Sequence, residues 1–447
     1  MSKRSELAAR AFAVMLCTWA VEGKADAVTD WDVRSGAIVA ESGLGTPPAI
    51  RVLALAHTAV YEAVNAITRR HPGANVPLQG PHDASVEAAI AAAHRATLTR
   101  LVPARQASID AAYQSALAAL AAGPARDAGV AIGERAAAAV LASRADDAAG
   151  TPEAYRPHTT PGAYVPTASP AVPHWVRRKP WLMANASQFR PGPPPSLSSD
   201  AWARDYDEVK VVGSRSSERR NGEQTAIARF WEYSLPPIYH GVVRSVATLP
   251  GREITRNARL YAAVTQAMDD AMIGVFDAKY HYNFWRPVTA IRNGDLDGHH
   301  ATERDASWTP LADVPMHPEY PSAHSILAAA VGTVLRAEIG AGPTPVLGTA
   351  SPSAKGATRH WTSVDDFVRE VSDARVYEGI HFRTSTEVGV EMGTRIGELA
   401  VARYLALPQA SVGPAAAGQG RLRGEGGTGA GAAGWLARRP ARPCPGK

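Results

Sequence analysis

Apolar residues recur at helical spacing along most of this chain. In RVLALAHTAVYEAVNAI, residues 51–67, Leu53, His57, Val60, Tyr61, Val64 and Ile67 share one stripe, as an amphipathic helix requires. His57 on that stripe reads as a core histidine rather than a ligand. Alanine-rich stretches at 86–101, 105–122 and 125–146 predict three more helices, because alanine has the highest helix propensity. Further on, NGEQTAIARFWEYS, TRNARLYAAVTQAMDDAMIGVFDAKY, SAHSILAAAVGTVLRAEI and STEVGVEMGTRIGELAVARYLAL carry apolar helical faces. In the second of these, Leu260, Val264, Met268, Ala271 and Val275 form the stripe. Period-two runs of β-branched and aromatic residues, which a sheet would need, are hard to find. The pattern predicts an all-α protein.

Prolines divide it. RPGPPPSLSSD at 190–200 breaks the helical pattern, and prolines at 152, 157, 161, 166, 170, 173 and 180 make 151–185 an irregular connector. The expected organisation is an N-terminal helical bundle with its connector (28–189), packed against a C-terminal helical bundle (190–410). At the N-terminus, the charged MSKRSELAAR, the short apolar AFAVMLCTWAV and the small residues ADA read as a secretory signal over 1–27, cut near Val28. That core is too short to span a bilayer, so an exported protein without membrane insertion is expected.

The tail 411–447 is Gly-, Ala-, Arg- and Pro-rich and is expected to be disordered. Its GxGxxG at Gly424, Gly426 and Gly429 lacks the strand and helix that give the motif meaning. It also explains the net charge of +5, because its six basic residues face only Glu425. The remainder is nearly neutral, so nothing points to nucleic acid. The two cysteines, Cys17 in the signal and Cys444 in the tail, leave no internal disulfide framework.

Three clusters in the second half place basic and imidazole groups where a helical core would carry none. KYHYNFWRP holds Lys279, His281 and Arg286, and the seven-residue step from Lys279 to Arg286 is about two helical turns, putting both on one side. In HPEYPSAHSILAAAV, Pro318 and Pro321 delay a helix that Ser322 is suited to cap. Its free first-turn amides and dipole favour an anion, and His324 on that turn can exchange protons. DARVYEGIHFRTS adds Arg375, His381 and Arg383. Together the clusters supply what a tetrahedral oxyanion needs.

These clusters resemble the Lys-x6-Arg-Pro, Pro-Ser-Gly-His and Arg-x5-His motifs of the vanadium-dependent haloperoxidases, which share a fold and site with the type 2 phosphatidic acid phosphatases. DAKYHYNFWRPVTAIRNGD, HPEYPSAH, GIHFR and HTAVYEAVNAI look like the bacterial branch, and the likeness covers roughly 30–405. It implies vanadate as cofactor, in a site that also accepts phosphate, within the C-terminal bundle. His381 would bond vanadium. Lys279, Arg286 and Arg375 would neutralise its oxygens, Ser322 and the amide of Ala323 would hydrogen-bond to them, and His324 would manage protons. His317 falls where algal bromoperoxidases carry histidine and fungal chloroperoxidases phenylalanine, which favours bromide; Phe276 joins it as a candidate on the halide or substrate side. Hydrogen peroxide, a halide and a small organic substrate are the implied partners, and a homo-oligomer is left open.

This sequence departs from the family pattern twice. Ala323 replaces the usual glycine, which matters only if that position needs positive φ. Thr384 and Ser385 stand where an acid usually follows the ligand histidine, and Glu387 or Asp373 is the expected substitute. Two other readings remain. One is an acid phosphatase with His381 as nucleophile and His324 as general acid. The other is a non-catalytic helical binder with a decayed anion site.

Overall fold

The computed structural model describes residues 26–71 and 75–406. Most of the signal and all of the tail, with Cys17, Cys444 and the chance glycine motif, lie outside the described residues. Helix α1 (Ala27–Ala40) starts beside the expected cut. Its cap is Asp26, whose carboxylate accepts from the Thr29 amide at 2.9 Å and from Asn257 at 2.9 Å. The fold therefore uses a residue two positions before Val28.

The N-terminal helices follow the sequence reading closely. They are α2 (Thr46–Thr68), α3 (Val86–Leu101), α4 (Gln106–Ala118) and α5 (Pro124–Ser143). Pro47 opens α2 at a position where its missing N–H costs nothing, and Ser85 caps α3 by accepting from the Ala88 amide at 3.1 Å. The connector is irregular apart from a short 3-10 turn at Pro173–Arg177. Acids of a later helix hold it in place. Arg178 meets Asp269 at 2.5 Å and Asp147 at 2.7 Å, and Asp270 accepts the amides of Trp181, Leu182 and Met183.

The C-terminal helices are α6 (Asp200–Val212), α7 (Gly222–Trp231), α8 (Pro237–Ala247), α9 (Ile254–Tyr282), α10 (Pro287–Arg292), α11 (Ala323–Ile339), α12 (Val364–Tyr377) and α13 (Arg383–Ala400). Between α11 and α12 lies an antiparallel hairpin, β1 (Leu347–Ser351) with β2 (Ala357–Trp361), which the periodicity does not predict. Helix α9 is buried on every side from Leu260 to Lys279, the mark of an interior helix. It packs on α2, α11 and α13, so helices from both halves of the chain surround it. No helix among the described residues is long and apolar enough to cross a membrane.

Two contacts matter most for placing the site. Helix α13 turns Gly389 and Gly393 towards α11, where a Cβ on Gly393 would come within 2.2 Å of the Ile326 carbonyl and 2.8 Å of the Ala329 Cβ. Only glycine lets the helices approach this closely, and that approach fixes the start of α11. The second contact joins α1, α2 and α8. Asp32, fully buried, accepts from His240 Nδ1 at 2.5 Å and from Arg244 at 2.8 Å, with His57 Nε2 at 3.3 Å. Asp32, His57 and His240 stand close enough to ligate a metal, but Arg244 already neutralises the carboxylate. A cation there would add uncompensated charge to a dry interior, so the group is a buried ion-pair network.

Burial depresses the histidines near this network. His57 is pushed below its usual value, mainly by desolvation and against the pull of Asp32, and His94 falls to about 3 from burial and the nearby His57. A histidine whose folded pKa lies below its unfolded value favours the fold above that unfolded value, about 6.5, and the contribution is lost as pH falls through the window below it. For His94 that window runs from about 6.5 down to about 3. Unfolding free energy should therefore fall by about 1.4 kcal/mol per pH unit per histidine below pH 6. Urea unfolding at several pH values measures the slope, and His94→Phe should reduce it by one proton; an unchanged slope contradicts the assignment.

Candidate active site

The site is built where α9, α11 and α12 end or begin. Helix α9 stops at Tyr282, and Asn283 turns into the left-handed region (φ 48°, ψ 40°) with its amide on the Lys279 carbonyl. Lys279 and Arg286 are thus not two turns of one helix, as their spacing suggests. Arg286 lies in extended backbone as the cap residue of α10 and reaches the same region from there.

Lys279 is fully buried, and its ammonium donates to the carbonyls of Pro318 at 3.0 Å, Glu319 at 2.8 Å and Pro321 at 2.5 Å. An ammonium has three N–H groups, so Lys279 braces the 318–321 loop and contributes charge to the site rather than a free donor. Burial and the neighbouring Arg286 push its pKa well down. Arg286, pushed down to about 10 by burial, donates through Nη1 to the Ile380 carbonyl at 2.8 Å and lies 3.3 Å from His381 Nε2. Its Nη2 donates to His317 Nδ1 at 2.9 Å.

Ser322 caps α11 as its sequence predicts, accepting from the Ser325 amide at 3.4 Å. Ala323 begins the helix without positive φ, so alanine fits where the family pattern has glycine. His324 is buried, and its Nε2 has no partner. Arg375 donates through Nη1 to the Trp231 carbonyl at 2.8 Å and to Glu378 at 2.7 Å, while its Nε is unpartnered. The end of α7 therefore positions Arg375.

The acid expected after His381 comes from elsewhere. Glu319, fully buried, accepts from His381 Nδ1 at 2.8 Å and from the Phe382 amide at 2.9 Å. Its second oxygen accepts from Ser385 Oγ at 2.6 Å. Glu387 is exposed and Asp373 pairs with Arg383, so neither fills that place. A carboxylate on Nδ1 fixes the proton there and leaves Nε2 an unprotonated lone pair, which accepts from Arg286 Nη1 at 3.3 Å. Burial, then the charges of Arg286, Lys279 and Arg375, holds His381 well below its usual pKa, which keeps that lone pair available. His317 Nδ1 stands 2.9 Å from Arg286 Nη2 and 3.2 Å from the Pro318 carbonyl; a guanidinium only donates, so the shorter contact makes Nδ1 an acceptor and puts the proton on Nε2.

A cavity of about 350 Å³ opens onto these groups, lined by Phe276, His317, Ala323, His324, Arg375 and His381 among others. Phe276 and His317 pack edge to face at 5.2 Å. Lys279, Arg286 and Ser322 bear on the groups behind that wall. The residues fit a bound oxyanion: Arg375 Nε and His324 Nε2 are buried polar atoms lacking partners, and His381 Nε2 is an unprotonated nitrogen held by Arg286 among clustered positive charge. An empty apolar core would leave such atoms costly.

Comparisons with known proteins bear on the fold and the family likeness. The family model described as the VCPO second helical-bundle domain matches residues 259–409. A curated relative, vanadium chloroperoxidase from Curvularia inaequalis, is 26% identical over 213 residues, covering 40% of this chain and 34% of the relative. The match thus spans about a third of that protein's length. A crystal structure of a bacterial vanadium-dependent iodoperoxidase superposes with a TM-score of 0.72 at 26% identity, over 85% of this chain and 95% of that one. An apo-type bacterial vanadium-dependent chloroperoxidase shares the fold, with a TM-score of 0.67 at 19% identity, over 81% and 95%. The motifs, the helical architecture and these likenesses converge on the vanadium-dependent haloperoxidases as the proteins that this chain resembles.

Proposed function

We propose that this protein oxidises halide with hydrogen peroxide in a vanadate-dependent reaction, with bromide the preferred halide, giving hypohalous acid or a halogenated organic product. The balance is X⁻ + H₂O₂ + H⁺ → HOX + H₂O. The observation that carries the reading is His381: oriented by Glu319 through Nδ1, it presents an unprotonated Nε2, which accepts from Arg286 Nη1, in a buried, cationic site. Bound vanadate would supply a Lewis acid that activates peroxide towards halide without a change of oxidation state. His381 Nε2 would hold the vanadium. Arg286, Arg375 and Lys279 would balance the oxyanion charge, most effectively because water is excluded, and Ser322 with the Ala323 amide would hydrogen-bond to its oxygens. His324 Nε2 would accept and return the proton. His317, with its Nε2–H free of Arg286, is the candidate halide donor beside Phe276. Export after signal removal is part of the proposal.

The same oriented imidazole would also serve a phosphate-ester hydrolase, with His381 as nucleophile. Glu319 supports that alternative too, since it supplies the orienting acid. Two assays separate them. Orthovanadate-loaded protein should brominate a phenolic dye with peroxide and bromide, while vanadate-free protein should show little turnover of p-nitrophenyl phosphate. Brisk hydrolysis without bromination would favour the phosphatase.

A further inference from the structure

Behind Ser322 the site continues as a chain of hydroxyls. Ser325, one turn further along α11, donates its Oγ–H to Ser322 Oγ at 3.1 Å, and Ser372 of α12 donates to Ser325 Oγ at 3.1 Å. All three serines are buried. A helical serine commonly donates to the carbonyl four residues back. For Ser325 that carbonyl is Pro321, which already accepts from Lys279, and Ser325 turns to Ser322 instead. Ser322 Oγ also accepts from the Ser325 amide at 3.4 Å, so both its lone pairs are used and its own proton is left to donate. The three O–H groups therefore run one way, towards the oxyanion site. Helix α13 closes the flank of this chain, since a Cβ on Gly389 would come within 3.0 Å of the Ser325 Cβ.

The outer end of the chain is open. Ser372 lines a groove of about 590 Å³ between α11, α12 and α13, and this groove shares no lining residue with the cavity of His324 and His381. Near its reacting groups that cavity is cationic, with Arg375 in its wall and Arg286 and Lys279 behind, which disfavours a hydronium ion there. In the groove, Asp365, Asp373 and Glu387 offset Arg336, Arg369 and Arg383.

We infer that Ser372, Ser325 and Ser322 form a relay that brings protons from this groove to the oxyanion site. The inference rests on the proposed haloperoxidase reading, whose balance consumes one proton for each halide oxidised. Ser322 releases its Oγ proton into the site as the Ser325 proton crosses to Ser322 Oγ. The Ser372 proton crosses to Ser325 Oγ, and Ser372 Oγ takes one from solvent in the groove. One proton moves in total, every serine ends neutral, and no alkoxide forms. Ser325 and Ser372 act only through Ser322, so they are positioning residues. Protons thus arrive on a different face from halide and peroxide.

Ser372→Ala removes the entry hydroxyl and leaves Ser322 and Ser325 in place. Its kcat for bromination should fall about tenfold, less than for loss of the acid–base group itself, while orthovanadate Kd by isothermal titration stays within about twofold. Ser372→Thr keeps a hydroxyl and should restore the rate. Ser325→Ala should lose as much, and the double variant no more, because one break already interrupts the chain. In mixtures of light and heavy water, kcat of the wild type should follow a curve, the mark of several protons moving together, and that of Ser372→Ala a straight line. The relay is overturned if Ser372→Ala keeps the wild-type kcat and curve, or if Ser372→Thr is no faster than Ser372→Ala. It is also overturned if orthovanadate affinity falls in step with kcat, as a merely structural part would require. Should Ser325→Ala fail to fold, the Ser372 variants decide. A wild type that binds orthovanadate but brominates nothing removes the haloperoxidase reading, and the relay falls with it.

Discussion

Glu319→Ala lowers vanadate affinity by about 10- to 100-fold, the range seen when the partner that orients a ligand histidine is lost. In the wild type one carboxylate oxygen holds both His381 Nδ1 and the Phe382 amide, and the other holds Ser385 Oγ. Alanine leaves those donors unpaired in a fully buried place, frees the ring to rotate and removes the constraint that keeps the proton on Nδ1. Glu319→Gln should be milder, because its carbonyl can still accept from Nδ1 while the negative charge is gone. Ser385 is one turn past His381, where the family pattern has its acid. Ser385→Asp in the Glu319→Ala background should therefore recover part of the loss. Vanadate titrations of the four proteins check this, and equal affinities across the set would show that Glu319 only fills space.

His324→Ala should reduce vanadate-dependent bromination by about 10²- to 10⁴-fold, the usual contribution of a positioned acid–base group, with vanadate affinity changed far less. His324 lies in the first turn of α11, its Nε2 has no partner, and it lines the cavity together with Arg375 and His381. Burial, then the charges of Arg375 and Lys279, pushes its pKa well down. In the protein without oxyanion it is therefore neutral and able to accept a proton at neutral pH. Steady-state kinetics separate this role from simple binding, since kcat should fall more than the binding of vanadate weakens. Unchanged turnover would return the protein to the non-catalytic reading.

Much of the site is legible in the sequence because its parts are local. Ser322 announces itself as a cap after two prolines, and the spacing of Lys279 to Arg286 and of Arg375 to His381 survives in the fold. What the sequence hides is contact across the chain. Glu319 stands inside a stretch rich in signals, yet its partner is 62 positions away and is reached only through the path of the 317–322 loop. The two-turn reading of Lys279 and Arg286 fails for a similar reason. Helical geometry ends at Asn283, and both side chains converge through loop packing instead.

The helices follow the same division. Stretches with long alanine runs are visible at once, whereas in α12 Val364, Phe367, Val368 and Val371 recur at helical spacing among acids without such a run, and Ser363 accepts from the Asp366 amide at 3.0 Å as a readable N-cap. Helices α1, α6 and α8 are likewise stabilised by tertiary packing more than by propensity. Strand β1, LGTAS, carries too little apolar material to stand out, and its pairing with β2 shows only in three dimensions.

Isothermal titration of orthovanadate into the wild type and His381→Ala is the most direct test of whether these scattered groups make one oxyanion site. One vanadate per chain in the wild type, with binding lost or greatly weakened in the variant, is the outcome that follows from an unprotonated Nε2 set among Arg286, Arg375 and Lys279. No saturable binding in the wild type, or equal binding in the variant, would contradict it.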